Sequence, residues 1–282
     1  MEANIDSRIE AAQRAVAEAE ALLITAGAGM GVDSGLPDFR GTQGFWRSYP
    51  AIAKMGLSFE EMANPEWFQR DPALAWAFYG HRLQLYRATV PHAGFRKLSQ
   101  LGKSKRDGCF VFTSNVDGQF QKAGFNPESL VECHGSIHHF QCVANCTRNI
   151  WDAGNETVTI DESHFRAVEP LPRCPHCGAL ARPNILMFGD WSWLGWRTEQ
   201  QENRFQNWLE RLAGKNARLA VVELGAGSAI PTVRLLSEQV AGKRPSHLIR
   251  INLREPQVPP GQIGLPLSAA EGIGLICDPA AA

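Results

Sequence analysis

The sequence predicts an α/β fold carrying a small metal-binding insertion, on three observations. An apolar run, Ala21-Leu22-Leu23-Ile24, has the content of a buried strand and runs directly into the glycine-crowded turn Gly27-Ala28-Gly29-Met30-Gly31. Two further apolar runs, Cys109–Thr113 and Leu219–Leu224, recur downstream between stretches of helical patterning. Two close cysteine pairs, Cys142/Cys146 and Cys174/Cys177, lie between those runs. Paired thiols at such spacings suit a tetrahedral zinc held by two knuckles, with His138 and His176 as alternative ligands.

The bulk numbers exclude several classes. The 282 residues suffice for one large domain or a large and a small one. A formal net charge of −1 gives no bias toward polyanions, so no nucleic-acid partner is expected. No apolar run approaches the ~20 residues of a membrane helix, and the acidic start, Met1-Glu2-Ala3-Asn4-Ile5-Asp6, has no signal-peptide core. Seven cysteines, four of them in pairs, suit metal and free thiols in a reducing compartment. No membrane partner and a cytoplasmic location are therefore expected; no oligomeric state is assigned.

In chain order, residues 9–20 read as a leading helix with Ile9, Ala12, Val16 and Ala19 on one face. After the first strand, glycines let backbone N–H groups approach a phosphate. The dehydrogenase fingerprint G-x-G-x-x-G is broken, because Val32 stands at its third glycine. Asp38, Phe39 and Arg40 then set an acid, a ring and a guanidinium side by side. Residues 44–50, with Phe45, Trp46 and Tyr49, are expected as a mobile aromatic flap. Helices are expected from Phe59 and from Asp71-Pro72, the latter with Asp at the N-cap and Pro at the first helical position. On that second helix Tyr79 and Arg82 share a face; on residues alone the pair also suits a half-buried phenol beside a snorkelling Arg. His92, ahead of a helix over residues 95–101, is read as structural. The strand Cys109–Thr113 ends in Ser114-Asn115-Val116-Asp117, where open α/β sheets place ligand contacts. A further helix over residues 205–212 precedes the strand Leu219–Leu224.

The block over residues 27–41 resembles the cofactor loop of the sirtuins, the NAD-dependent protein deacylases, with Gly31 where that family usually has serine. The resemblance covers about residues 20 to 255. It continues through Asn115-Val116-Asp117, although Ser114 replaces a glutamine, and through Glu132-Cys133-His134-Gly135-Ser136. It includes the cysteine pairs, then Arg182-Pro183-Asn184-Ile185-Leu186-Met187-Phe188-Gly189-Asp190, the partial turn Gly225-Ala226-Gly227-Ser228, and Asn252. The family implies a Rossmann-like parallel sheet with helices on both faces, formed by residues 1–137 and 187–282, and an inserted zinc-binding domain over residues 138–186.

The resemblance also implies roles. NAD, a consumed co-substrate, would contact Gly27, Ala28, Gly29, Asp38, Phe39, Arg40, Trp46, Ser114, Asn115, Asp117, Gly225, Gly227, Ser228 and Asn252. His134 would be the general base, with Asn115 and Asp117 at the reacting end. An acylated-lysine peptide would add as a strand along Met187, Phe188 and Gly189. Tyr79-x-x-Arg82 marks the sirtuin branch that removes acidic acyl groups such as succinyl and malonyl, Arg forking onto the distal carboxylate. Cys142, Cys146, Cys174 and Cys177 would hold a structural zinc. The alternative is the same NAD chemistry with another acceptor, an ADP-ribosyltransferase or an NAD hydrolase. Trp191, Trp193 and Trp196 are expected beside the acyl tunnel, as a narrowing of the groove, a packing plug or a partner surface. The Gly/Ala/Pro-rich tail over residues 261–282 is expected to lack a closing helix.

Overall fold

The computed structural model describes residues 4–37, 41–243 and 245–278; the expected contacts of Asp38, Phe39 and Arg40 lie outside the described residues. The strands, in chain order, are β1 (Ala21–Ala26), β2 (Cys109–Thr113), β3 (Leu130–Glu132), β4 (Gly135–Cys142), β5 (Ile150–Asp152), β6 (Ile160–Asp161), β7 (Arg166–Ala167), β8 (Ala181–Ile185), β9 (Leu219–Leu224), β10 (Ser246–Ile251) and β11 (Ile263–Leu265). Six of them form one parallel sheet in the order β11-β10-β9-β1-β2-β3. The order reverses between β1 and β9, so the loops leaving these two strands part and open a crevice.

Both faces of the sheet are covered, which is why β1 reads as a continuous apolar run. Leu22, Ile24 and Ala26 point to the helices Ile5–Glu18, Ala93–Ser104 and Ala269–Cys277. Ala21 and Leu23, offset by one residue, point to Trp196–Gly214 and Thr232–Gly242. The leading helix begins at Ile5, earlier than the periodicity suggested, and buries Ala12, Ala15 and Val16.

Two expectations are corrected. The tail does close with a helix, Ala269–Cys277, capped by the Ser268 hydroxyl accepting from the Glu271 N–H (3.3 Å). Its small and apolar residues, Ala269, Gly272, Ile273 and Ile276, form one buried face, so composition that resembled a loop is a close helix contact. The aromatic flap is likewise helical, Gly41–Ser48 followed by Pro50–Lys54. Phe45, Tyr49 and Ile52 recur at helical spacing and are buried against Phe78 and the other rings of the helix Pro72–Ala88.

That helix is the axis of a second core. Trp76, Phe78 and Tyr79 pack with Ile137, Phe140, Val158 and Ile185. β4 pairs antiparallel with β5 and β8, and β6 with β7, so the insertion is small and locally connected. The helix starts as its sequence indicates: Asp71 Oδ1 accepts from the Leu74 N–H (3.2 Å), with Pro72 at the first position. Among the described residues no helix is long and apolar enough to cross a membrane.

Candidate active-site cleft and metal centre

The crevice brings two glycine turns together. The Gly29 N–H donates to the Gly225 carbonyl and the Gly27 N–H to the Leu224 carbonyl, both at 3.0 Å. A Cβ on Gly27 would lie 2.8 Å from Ala226 Cα, and one on Gly225 would lie 2.4 Å from Gly29 Cα. Gly225 also holds a φ of +58°, in the region that favours glycine. Backbone therefore stands where side chains would elsewhere, and Gly27, Ala28, Gly225, Ala226 and Gly227 line the opening.

Both turns line a cavity of about 630 Å³. Its sheet wall is Gly27, Ala28, Gly225, Ala226 and Gly227, followed by Ser114, Asn115 and Asp117 from the end of β2. The Asn115 amide donates to the Gly27 carbonyl (2.9 Å), fixing the β2 loop to the first turn. Asp117 Oδ1 accepts from the Gln119 N–H (2.9 Å), while burial pushes its carboxyl up to about 6. His134 opens into the same cavity. Burial lowers its pKa from the ordinary imidazole value, so the ring is neutral and able to accept a proton at neutral pH. Gly135 after it has a φ of +76°, and a Cβ there would lie 2.1 Å from the Asn184 carbonyl oxygen. This is the physical reason for His-Gly: the turn that aims the imidazole admits no larger second residue.

The other wall is helical. Tyr79, Arg82 and Tyr86 face the cavity at successive turns of one helix. The Tyr79 hydroxyl is buried and has no hydrogen-bond partner among the described residues, and burial pushes its pKa up to about 12. Arg82 Nε and Nη2 both donate to the Tyr86 hydroxyl, at 3.1 and 2.9 Å. Its guanidinium lies 5.2–5.9 Å from the ring centroids of Phe59, Phe78, Tyr79 and Tyr86. The cavity wall here thus places a buried guanidinium among π faces, beside a neutral phenol. Tyr86 was missed from the sequence; its i+4 spacing from Arg82 is the signal that could have found it.

Met187 and Phe188 line the mouth of the cavity, but Gly189 lies beyond it. Several other expected contacts do not line the cavity. Ser228 donates its N–H and hydroxyl to the Glu255 carboxylate, at 2.9 and 2.7 Å. The Asn252 amide donates to the Ala226 carbonyl (2.8 Å) and its oxygen accepts from the Arg254 and Glu255 N–H groups. The Trp46 indole donates to the Leu57 carbonyl (2.7 Å), and Gly29 serves through its backbone.

None of the three tryptophans lines the main cavity. The Trp196 indole donates to the Arg148 carbonyl (2.7 Å), a ring of Trp193 covers Gly195, and Trp191 projects into solvent. Asp190 forms a buried ion pair with Arg182, and its Oδ1 accepts from the Ser192 N–H (3.1 Å).

The four cysteines converge, their Sγ atoms all within 4.8 Å of one another. The Cys142–Cys177 and Cys146–Cys174 sulfurs are 3.7 and 3.6 Å apart. Thiolates bound tetrahedrally at ~2.3 Å from zinc stand roughly 3.8 Å from each other, so the donor set fits that ion. The His138 ring nitrogen is committed to the Asp117 carbonyl (2.9 Å) and is not a ligand; His176 Nδ1 lies 3.7 Å from Cys146 Sγ, at hydrogen-bonding range to a ligand. None of the four cysteines lines the main cavity, so the metal would be structural.

A six-stranded parallel sheet with paired glycine turns at its switch point, together with a four-cysteine insertion, defines a nucleotide-binding α/β protein with a zinc module. The Sir2 family model matches residues 27–207, and the chain belongs to the Sir2 family. It is 32% identical over 186 residues to an NAD-dependent protein deacylase of Thermococcus sibiricus, a stretch covering 64% of this chain and 65% of that relative. The match thus spans just under two thirds of that relative's length. A Thermus thermophilus NAD-dependent protein deacylase is 29% identical over 277 residues, 96% of this chain and 95% of the relative. A crystal structure of a Sir2 homologue–NAD complex superimposes with a TM-score of 0.70 at 26% identity, covering 95% of this chain and 92% of that one.

Proposed function

We propose that the chain is an NAD-dependent protein-lysine deacylase that prefers acidic acyl groups such as succinyl and malonyl. Its relatives bear the first part of that name, and the cleft supplies what such a reaction needs. The paired glycine turns form a cradle that a Cβ would fill, suited to a pyrophosphate. NAD bound there would supply a ribosyl carbon made electrophilic by its bond to nicotinamide. Asn115, anchored to the first turn, and Asp117, anchored to the β2 loop, would hold the reacting end. His134 would take the proton released from a ribose hydroxyl; its depressed pKa keeps the ring in the accepting form. The Leu186 N–H donates to the His134 carbonyl (3.0 Å), so the segment expected to carry the peptide is tied to the base.

The observation that carries the acyl preference is the unpartnered, buried Tyr79 hydroxyl beside the desolvated Arg82. A buried polar atom without a partner costs about 1–3 kcal/mol, and a substrate carboxylate accepting from both groups would recover it. The test measures nicotinamide release from NAD with succinyl-lysine and acetyl-lysine peptides, products identified by mass. Faster succinyl turnover with O-succinyl-ADP-ribose is expected. Faster acetyl turnover defeats the acyl preference, and nicotinamide released equally with and without peptide defeats the deacylase reading in favour of an NAD hydrolase.

A further inference from the structure

A second recess continues the mouth of the cleft. The mouth lies between Phe59, Glu60 and Ala63 on one segment and Leu186, Met187 and Phe188 on another. The next residues along the same two segments, Pro65, Glu66 and Gln69 facing Gly189, Trp191 and Ser192, enclose a recess of about 260 Å³. Where one gives way to the other, the Phe188 N–H donates to the Ala63 carbonyl (2.9 Å) and joins the walls. A chain lying along the mouth therefore meets this recess as it leaves.

The recess has a defined chemistry. Trp191 is 99% exposed, so among the described residues its indole face is left open to a ligand. Glu66 stands exposed on the facing wall, and Glu60 is exposed at the mouth. Arg182 reaches the recess, but its guanidinium is committed to Asp190, the Ser192 hydroxyl and the Ile185 carbonyl. Arg70 is turned onto the Trp67 ring, 5.3 Å from its centroid. An indole face beside uncompensated carboxylates attracts a cation and repels an anion.

We propose that this recess is a subsite for a basic residue, Arg or Lys, flanking the acyl-lysine of the substrate. Trp191 is its cation–π platform and Glu66 its counter-charge. The subsite rests on the deacylase reading above and gives it a substrate class: acyl-lysines in basic sequence.

The experiment compares acyl-lysine peptides that carry Arg, Ala or Glu singly at each of the three positions on either side. With the wild-type protein, one position is expected to show a KM about tenfold lower for Arg than for Glu, the sum of an exposed cation–π contact and an exposed ion pair. In Trp191→Ala that ratio falls below about threefold, and in Glu66→Gln it falls partway and loses its dependence on salt. Because Trp191 is solvated, its replacement leaves the core intact. A wild-type ratio near one at every position, or a ratio that survives in Trp191→Ala, overturns the subsite. The Ala-flanked peptide separates the two ideas. Its turnover without charge preference leaves the deacylase reading standing and removes only the subsite, whereas no turnover of any peptide removes both.

Discussion

The two walls of the cleft are built by opposite means. The sheet wall presents backbone: Gly27, Gly225 and Gly227, held by hydrogen bonds between two parallel-strand loops with no space for a Cβ at the first two. The helical wall presents side chains, with Tyr79, Arg82 and Tyr86 stacked along one helix in an aromatic core. A surface made of peptide groups recognises what every nucleotide shares and tolerates almost no change. A surface made of side chains can change its charge, and so its substrate, without altering the fold. Under the function proposed above, specificity would belong on the helix and the shared chemistry on the sheet.

The contrast can be broken most sharply at Gly225. Gly225→Ala is expected to lose about 4 kcal/mol, from a strained left-handed residue and a backbone collision, lowering Tm by roughly 8–16 °C. Calorimetry with NAD should show binding lost as well. An unchanged Tm would mean that the turns can part, and the sheet wall would be no more rigid than the helical one.

Asp117, at the end of the sheet wall, gives a pH-dependent test. Burial holds its folded pKa at about 6, against about 3.8 for an ordinary Asp carboxyl. The folded state therefore binds this proton more tightly than the unfolded chain. That stabilisation is fully present below about pH 4 and is lost as pH rises through about 6, a change of about 3 kcal/mol. Asp117→Asn removes the titration, so its stability relative to wild type should improve by that amount between pH 4 and pH 8. Denaturant unfolding at the two pH values reads it directly; a difference independent of pH would show that the carboxylate is solvated.

On the helical wall, Arg82→Met should lower kcat/KM for succinyl-lysine about a hundredfold while acetyl-lysine turnover changes less than about threefold. Equal losses on both substrates would make Arg82 part of the scaffold, through its hydroxyl contact with Tyr86. The smallest effect is expected at Tyr79. Tyr79→Phe removes a hydroxyl with no partner in the structure, so stability should hold or rise slightly while succinyl turnover falls about fivefold. A stability loss above ~1 kcal/mol would show that the hydroxyl is already satisfied.

Local chemistry was legible where it is written in consecutive residues. The strand–glycine turn, Asn115 and Asp117 after β2, His134 before Gly135 and the four cysteines all occupy places consistent with their motifs. Elements whose apolar residues are spaced were harder to see. Phe45, Tyr49 and Ile52 form a buried face only once their segment coils, and the closing helix hid behind alanines and glycines that suit a close helix contact as well as a loop. Ser228 and Asn252 sit at the expected turns, yet their polar atoms are spent on Glu255 and Ala226. A motif specifies a loop, but not which of its groups faces the ligand.

The sequence by itself determined the buried strands, the glycine turns and the thiolate set, because strand burial, the absence of a side chain and ligand spacing are local properties; the parallel arrangement was implied by the family resemblance. Only the tertiary structure decided what meets in the cleft. It set Tyr86 against Arg82, left the Tyr79 hydroxyl unpartnered, and carried Trp191 out of the groove to the rim of a second recess. Those outcomes depend on the packing of the helix Pro72–Ala88 against the inserted segment and on the buried Arg182–Asp190 pair. Both join residues far apart in the chain or commit a charge to a buried partner, and spacing along the sequence does not report either.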